Sequence, residues 1–382
     1  MSIPLFFIEI IFLGATFIAA HLYIILIIYI IRGWHKTPEW NLPKEYTPSK
    51  FISVVIAARN EEQYIGKCIE SILNCRYPKE LYEIIVVNDH SEDNTEAVIK
   101  RYTSDNVHLI NLTDENGKKA ALEKAISTAK GELIACTDAD CLVPQNWLLL
   151  FESHFEINNS KSVAGPISYI HDDSMIQNFQ FIDGLNNMSV TANGITRKIY
   201  HMANGANFWF TKEVFNEVGG YLNKDQFASG DDMFLIQEIS NLYPDQITFL
   251  KSKQAIVKTH PEFTFDNLVQ QRERWASKSK GYTNKTILWI QGFVFGFALL
   301  ILISLAISYL GLSLSTPILV YVLIVKLSVD YLYLSKISSF FGFKIPMVTF
   351  LVLSLIYLAY ITYIGFKSLN PAAYTWKGRT TR

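Results

Sequence analysis

Hydrophobic residues form long runs at both ends of this chain and short runs between them. The long runs cover about residues 5–31, 286–310, 317–334 and 345–366. Each is long enough for a membrane-spanning helix, which needs roughly 17–25 residues. The short runs alternate with amphipathic and polar segments between residues 51 and 285. The pattern predicts a folded domain between an N-terminal membrane anchor and a C-terminal region of about three membrane helices.

Short apolar runs in the central segment predict strands, and the amphipathic segments between them predict helices. A helix over Gln63–Asn74, for example, would place Ile65, Cys68, Ile69 and Ile72 on one face. Alternating strands and helices indicate an α/β fold with an open, mostly parallel sheet. Ligands of such sheets bind beyond the carboxyl ends of the strands. The predicted strands are Phe51–Ala58, Glu83–Val87, Val107–Leu112 and Gly131–Cys136.

The composition agrees with a membrane protein that carries one sizeable domain. The 382 residues are 50% hydrophobic, with a mean hydropathy of +0.18, which is too apolar for an ordinary soluble protein of this size. The net charge of −1 creates no field that would favour nucleic acid. The four cysteines lack C-x-x-C spacing, so we expect reduced thiols and neither a disulfide framework nor a zinc site.

Basic residues set the expected orientation in the membrane. Arg32, His35 and Lys36 follow the first apolar run, and no small-residue cleavage site comes after it. The run is therefore predicted to be a retained anchor whose following residues are cytoplasmic. We expect an integral protein of a bacterial inner membrane with a cytoplasmic catalytic domain. The expected division is 1–36 for the anchor, 37–50 for a linker, 51–285 for the domain and 286–382 for the C-terminal membrane region.

The charges near the C-terminus conflict with a simple count of spans. Four spans would put both termini outside, yet Lys377, Arg379 and Arg382 favour a cytoplasmic C-terminus. One wrongly assigned span, or one helix lying in the interface, would remove the conflict.

Two charged residues interrupt the third long run. Lys326 and Asp330 are four residues apart and would meet on one helical face. Charges inside a membrane often mark a substrate path, but mutual neutralisation between helices is the favoured interpretation.

The fourth predicted strand ends in Asp138-Ala139-Asp140, which is the strongest chemical signal in the chain. Two carboxylates at a strand end can share one hard divalent cation, because Mg²⁺ and Mn²⁺ prefer oxygen ligands. A cation held by one or two carboxylates usually completes its shell with water and substrate phosphates. The pattern indicates a site for a diphosphate-bearing donor. The alternative is that Asp138 only forms a turn or caps a helix.

Polar residues also follow the first two predicted strands. Arg59-Asn60-Glu61 comes after the first strand and Asn88-Asp89 after the second. The carboxyl ends of parallel strands lie at one edge of a sheet, so these residues should meet the two aspartates there.

Further along, Gly230-Asp231-Asp232 precedes an apolar helix, and Gln271-Arg272-Glu273-Arg274-Trp275 lies on a predicted amphipathic helix near the membrane. The spacing of Gln271, Arg274 and Trp275 places all three on one side of that helix.

With these motifs in this order, residues 51–282 resemble membrane-embedded family 2 glycosyltransferases with the GT-A fold. That group includes cellulose, chitin and hyaluronan synthases and ceramide glucosyltransferase. The resemblance implies a Rossmann-like GT-A domain with a mixed, mostly parallel sheet, joined to transmembrane helices. The family usually has Asp-Asp-Gly-Ser in its second loop, whereas this chain has Asn88-Asp89-His90-Ser91. Because this loop differs from the family pattern, the resemblance does not imply which nucleotide the donor carries.

The resemblance also implies roles for individual residues. Asp138 would face the donor. Asp140, together with Asp138, would bind Mg²⁺ or Mn²⁺. Asp232 would be the general base, with Asp231 as its competitor for that role. Arg274 offers a planar fork for phosphate, while Trp275 offers a face for a sugar ring. The expected donor contacts are Ala57, Arg59, Glu61, Asp89, Lys118 (or Lys119 in its place), Asp138 and Arg274, and the expected acceptor contacts are Asn207, Trp209, Gln271 and Trp275.

The implied function is inverting transfer of a hexose or N-acetylhexosamine from a nucleoside-diphosphate sugar, expected to be a UDP-sugar. The acceptor would be a membrane lipid, a lipid-linked glycan or a growing polysaccharide, with a partner subunit or oligomer left open. Few spans give little wall for a polymer channel, which favours a lipid. One rival, a dinucleotide-dependent oxidoreductase, lacks a G-x-G-x-x-G after the first strand. The other is a non-catalytic or partner-dependent membrane scaffold with a degenerate nucleotide-sugar-binding domain, which the intact acids fit poorly.

Overall fold

An α/β domain lies between a long N-terminal helix and three apolar C-terminal helices. The computed structural model describes residues 3–104, 106–113, 115–170, 172, 174–221, 230–277, 281–282, 284–309, 315–369, 374–376 and 379–381. The helices within the α/β part are α2 (Ile65–Leu73), α3 (Thr95–Lys100), α4 (Lys118–Thr128), α5 (Trp147–Asn158), α6 (Met175–Thr196), α7 (Lys212–Glu217), α8 (Asp231–Leu242) and α9 (Phe265–Ser277). The apolar helices are α1 (Ile3–Lys36), α10 (Lys285–Tyr309), α11 (Ser315–Phe340) and α12 (Met347–Leu369).

Within the described residues, the main sheet has seven strands and is mixed, as the resemblance implied. Its strands are β1 (Ile52–Ala58), β2 (Tyr82–Asn88), β3 (Val107–Asn111), β4 (Leu133–Cys136), β5 (Ser162–Ala164), β7 (Phe208–Thr211) and β8 (Ile247–Phe249). Their order is β3-β2-β1-β4-β7-β5-β8, with β7 antiparallel to both of its neighbours and the other pairs parallel. A second, two-stranded parallel sheet joins β6 (Ile167–Tyr169) to β9 (Val257–Thr259).

Strand β7 lies where the sequence predicted only a segment leading into a helix. Phe208, Trp209 and Phe210 are fully buried between β4 and β5, and α7 begins two residues after them. A strand that is covered on both faces shows no polar alternation, so its periodicity does not identify it. The α2 face predicted from periodicity is confirmed, because its four apolar residues are all buried.

Four helices, α1, α10, α11 and α12, are long and apolar enough to cross a membrane, judged by length and composition. The predicted pair on α11 is confirmed. Lys326 Nζ lies 2.5 Å from Asp330 Oδ2, and both side chains are buried. Tyr23 of α1 adds a third member by donating a hydrogen bond of 2.7 Å to Asp330 Oδ1. The cluster neutralises its own charges and joins α1 to α11.

Helix α12 touches the α/β domain near both of its ends. Phe343, just before it, packs against Phe181 of α6 with ring centroids 4.8 Å apart. Near its other end, Lys367 Nζ lies 3.1 Å from Glu273 Oε1 of α9. Tyr360 lies between these points and packs edge-on against Phe179 at 4.9 Å. The helix therefore packs along α6 and α9 of the domain over most of its length.

Candidate functional site

The polar strand-end residues meet at one edge of the sheet, as parallel pairing requires. Ala58 of β1 lies beside Asn88 of β2, and Val55 lies beside Cys136 of β4, so the loops after these strands are neighbours. A cavity of about 1040 Å³ opens at this edge and continues between the apolar helices. Of the residues predicted from the sequence, those lining it are Ala57, Arg59, Glu61, Asp89, Lys118, Asp138, Asp140, Asp231, Asp232, Gln271, Arg274 and Trp275.

Lys118, the first residue of α4, lies among carboxylates. Its Nζ is 2.6 Å from Asp138 Oδ1 and 3.8 Å from Asp231 Oδ2. Desolvation in the cavity disfavours the charged ammonium, but Asp138, Asp231 and Asp232 outweigh this and raise the pKa of Lys118. Lys119, the alternative weighed from the sequence, instead has its Nζ over the Phe234 ring at 5.6 Å. Lys118 is therefore the lysine that this fold places at the two acidic motifs.

Asp232 is fixed by backbone donors at the start of α8. Its Oδ2 accepts a hydrogen bond of 2.9 Å from Gly205 N, and its Oδ1 accepts one of 2.7 Å from Met233 N. Gly230 precedes the helix with φ of +96°, a left-handed conformation that favours glycine. Asp231 is buried while Asp232 is half-buried, so Asp232 presents the more accessible carboxylate. The helix begins at Asp231, two residues earlier than the sequence suggested.

Gly205 is a site residue that the sequence analysis did not single out. A Cβ at this position would lie 3.2 Å from Lys118 Nζ and 3.8 Å from one carboxylate oxygen each of Asp138 and Asp231. A side chain here would crowd the lysine, so a bare backbone allows the ammonium to approach both acids. The only signal in the sequence was the small-residue stretch Gly205-Ala206 before the aromatic strand.

Asp138 and Asp140 have the chemistry of a site for a hard cation. One ligand atom from each of Asp138, Asp140 and Cys141 can be chosen so that all lie within 4.8 Å of one another. Burial raises the pKa of the Cys141 thiol well above its ordinary value, and Asp140 adds to the effect. The carboxylates are therefore the donors of this group that suit Mg²⁺ or Mn²⁺. Thr259, at the end of β9, donates to Asp140 Oδ2 at 3.2 Å and helps to orient it.

Charge at this edge also fits a bound cation. The acids that line the cavity here include Glu61, Asp89, Asp138, Asp140, Asp231 and Asp232, whereas the bases include Arg59, Lys118 and Arg274. A donor diphosphate would be repelled by an excess of carboxylates unless a cation offset them.

Arg59 and Asp89 hold the loops after β1 and β2 together. Arg59 is buried and its Nη1 donates to the carbonyl oxygens of Asp89 and His90, at 2.9 and 2.7 Å. Asp89 Oδ2 accepts from Gly117 N at 3.0 Å, which ties the second loop to the start of α4. These bonds shape the wall of the cavity, while direct contact of either residue with a donor stays a prediction.

Helix α9 presents Gln271, Arg274 and Trp275 to the cavity, on one side as their spacing predicted. Arg272, which the sequence analysis passed over, is buried beneath them. Its Nη2 lies 2.9 Å from Asp183 Oδ2 of α6, and its Nη1 donates to Gln271 Oε1 at 2.9 Å. Its guanidinium also lies 4.1 Å from the centroid of the Trp275 ring. Arg272 thus packs against two predicted acceptor residues and links their helix to α6.

The structure corrects the prediction that Asn207 and Trp209 contact an acceptor. Both are fully buried and neither lines the cavity. Asn207 accepts a hydrogen bond from Trp147 Nε1 and donates to the carbonyls of Pro166 and Ala255. Trp209 stacks on Phe151 with ring centroids 4.5 Å apart and planes 6° apart. Both residues therefore stabilise the core behind the site, Trp209 from β7 and Asn207 from the turn just before it.

Comparisons with known proteins identify relatives of this chain. Residues 53–219 match the family model described as Glycosyl transferase family 2. The chain is 29% identical over 360 residues to the dolichyl N-acetyl-alpha-D-glucosaminyl phosphate 3-beta-D-2,3-diacetamido-2,3-dideoxy-beta-D-glucuronosyltransferase of Methanococcus voltae, which covers 86% of this chain and 99% of that protein. It is 25% identical over 226 residues to glycosyltransferase AglE of Haloferax volcanii, covering 59% of this chain and 71% of that protein.

A solved structure shares the fold over almost the whole chain. The mannosyltransferase PcManGT from Pyrobaculum calidifontis, solved in complex with GDP-Man and Mn²⁺, has a TM-score of 0.56 and 18% identity, covering 95% of this chain and 98% of that one. At this identity the likeness supports the GT-A fold and carries no residue roles.

Proposed function

Residues 53–219 are a family 2 glycosyltransferase domain, and on that premise we propose that this membrane glycosyltransferase moves one sugar from a nucleoside diphosphate to a lipid-linked acceptor. One observation carries the proposal. A single cavity holds the acidic strand-end motif, Lys118 and Asp232, and the same cavity continues between the apolar helices. Donor chemistry and a route for a membrane acceptor are therefore joined in one space. The Methanococcus voltae relative, whose name specifies a dolichyl-linked sugar phosphate, supports a lipid-linked acceptor here as well.

The proposed reaction is a single displacement at the anomeric carbon. Asp232 takes the proton of the acceptor hydroxyl as its oxygen attacks, and the nucleoside diphosphate departs from the opposite face. An α-linked donor would then give a β-linked product. Lys118 and Arg274 place positive charge where the diphosphate would lie. When bound, Mg²⁺ or Mn²⁺ supplies further positive charge against the leaving diphosphate, and Asp140 with Asp138 would hold it.

We expect Asp89 to lie near the nucleobase or the ribose, and a UDP-sugar remains the expected donor. The GDP-mannose of the mannosyltransferase neighbour makes a guanine donor the natural comparison in any assay.

We further propose that residues 51–285 are the cytoplasmic domain and that α12 lies along the membrane surface beneath it. A 23-residue helix is about 35 Å long, at ~1.5 Å per residue. If α12 crossed the membrane away from the domain, Lys367 would be remote from Glu273, yet the two are paired. β10 (Tyr374–Trp376) also contacts α9. With α12 in the interface, three helices cross and the basic C-terminus is cytoplasmic, as its charges favour.

Labelling with a membrane-impermeant maleimide tests this orientation. One variant carries Ser313→Cys, between α10 and α11 in the sequence, and another carries a cysteine added after Arg382. We expect the first to be labelled in intact spheroplasts and the second only after permeabilisation. The four native cysteines are buried, so the parent protein serves as the blank. Labelling of the added C-terminal cysteine in intact cells would mean that α12 crosses the membrane.

The function itself is tested by release of nucleoside diphosphate from a panel of nucleotide sugars. Detergent-purified protein is supplied with a native membrane lipid extract and with Mn²⁺ or Mg²⁺. We expect turnover of one donor, formation of an organic-soluble glycolipid and a β-linkage by NMR. A water-soluble polymer as product would favour a processive synthase instead. Absence of turnover with every donor would overturn the proposal. It would favour the alternative of a non-catalytic or partner-dependent membrane scaffold.

A further inference from the structure

One face of α12 lines the cavity from its first turn to its last. The lining positions include Phe350, Leu353, Tyr357, Ile361, Ile364 and Ser368, which recur every three or four residues. This is the spacing of a single helical face, and it extends over about 27 Å, at ~1.5 Å per residue. On the other face, Leu355 and Val348 are 59% and 74% exposed. The helix therefore forms one wall of the cavity, with its other face exposed at the protein surface.

The opposite walls of this space are mostly apolar and come from α1 and α10. Ile27 and Ile30 of α1 and Leu288 and Phe295 of α10 line it with α12. A Cβ on Gly365 would lie 2.1 Å from the Phe295 ring, so α10 and α12 are in close contact there. We call the part of the cavity between α1, α10 and α12 the corridor; its lining from these helices is mostly apolar, and it is continuous with the part lined by Asp140 and Asp232.

The corridor has a polar inner end. The lining includes Lys326 of α11 and Tyr23 of α1. Both side chains contact the carboxylate of Asp330. Lys326, Asp330 and Tyr23 form a polar cluster. A hydrocarbon chain that reached this cluster would find no further apolar surface to contact. The corridor can therefore shield only a limited length of chain next to the reaction site.

We propose that the corridor along α12 binds one hydrocarbon chain of the lipid acceptor, in the part that adjoins the head group. This inference rests on the proposed function, since it assigns the acceptor of the same site. A chain fits because the space is mostly apolar along the sides formed by α1, α10 and α12, and continuous with the place where the acceptor hydroxyl would lie. A membrane lipid supplies that combination, with a polar head at the aspartates and a tail between the helices.

The test introduces a bulky side chain on the face of α12 that lines the corridor. The same substitution on the exposed face of α12 serves as the control. Ile361→Trp and Ile364→Trp place an indole into the corridor, whereas Leu355→Trp and Val352→Trp place it on the exposed face of the same helix. We measure glycolipid formation against the concentration of native lipid extract. In parallel, we measure release of nucleoside diphosphate by hydrolysis without lipid, and photolabelling by a prenyl phosphate that carries a diazirine on its chain.

The corridor variants should need about tenfold more lipid extract for half-maximal transfer, a loss of ~1.4 kcal/mol in apparent affinity. They should also lose most of the photolabel on α12, while hydrolysis of the donor stays at the parental rate. The two exposed-face variants should match the parent in all three readouts. Corridor variants that behave like the exposed-face variants would overturn the inference. Absence of both transfer and hydrolysis in the parent would instead overturn the proposed function, and the photolabel would still report on the corridor.

Discussion

Replacing Asp232 with asparagine should lower the rate of sugar transfer by about 10²–10⁴-fold, the usual contribution of a positioned general base. The amide has nearly the shape of the carboxylate but cannot accept the proton of an acceptor hydroxyl. Nucleoside diphosphate binding should change little, because the proposed donor contacts lie at the ends of β1, β2 and β4, on α4 and on α9, whereas Asp232 lies on α8. The rate is measured with the donor that the panel identifies, and donor affinity is measured by calorimetry.

The local geometry adds a second effect to this variant. The two carboxylate oxygens of Asp232 accept from Gly205 N and Met233 N, whereas an asparagine side chain offers only one acceptor oxygen. One of those backbone donors would therefore face an NH₂ group. We expect a modest loss of stability, on the order of 1–3 kcal/mol, from the unsatisfied donor. A thermal unfolding curve separates this loss from the loss of catalysis.

Two comparison variants make the result specific to Asp232. Asp231→Asn removes a carboxylate 3.8 Å from Lys118 Nζ and should reduce transfer less, because Asp231 is buried. Asp245→Asn changes an exposed residue that pairs with Lys198 away from the cavity, and it should have parental activity. Should Asp231→Asn be the more damaged of the two, the roles of base and supporting acid would be reversed.

Replacing Asp140 with asparagine should weaken Mn²⁺ binding by about 100-fold or more, and donor binding and transfer should fall with it. Positive charge from a metal contributes several kcal/mol at such sites, and each ~1.4 kcal/mol is a factor of ten. Asp140 is the more critical acid because Asp138 shares its charge with Lys118 at 2.6 Å. Binding of Mn²⁺ is measured by electron paramagnetic resonance, both alone and with nucleoside diphosphate.

The matched control for this prediction is Glu132→Gln, which removes a carboxylate from an exposed pair with Lys50. It should bind Mn²⁺ like the parent. Chelation of divalent cations should reproduce the Asp140→Asn defect in the parent protein and change the variant no further. Unaltered Mn²⁺ affinity in Asp140→Asn would show that this carboxylate is not a metal ligand.

The sequence by itself determined the local features of this protein. Short apolar runs indicated the α/β sheet, and polar residues after three of its strands indicated a site at one edge. This works because parallel strands bring their carboxyl ends together whatever the loops contain. The four long apolar runs likewise correspond to four apolar helices. The one-sided spacing of Gln271, Arg274 and Trp275 follows from helix geometry alone.

Only the tertiary structure decided which elements pack against each other. Trp209 and Asn207 lie in a small-then-aromatic segment of the sequence, but β7 carries Trp209 between β4 and β5, and Asn207, just before β7, is buried by its bonds to Trp147, Pro166 and Ala255. Lys118 and Lys119 are adjacent in the chain, and the pairing with Asp138 distinguishes them. The apolar length of α12 is compatible both with crossing a bilayer and with lying beneath the domain. The ion pair between Lys367 and Glu273 favours the second arrangement. Periodicity reports how one element is buried, whereas a partner distant in the chain decides what buries it.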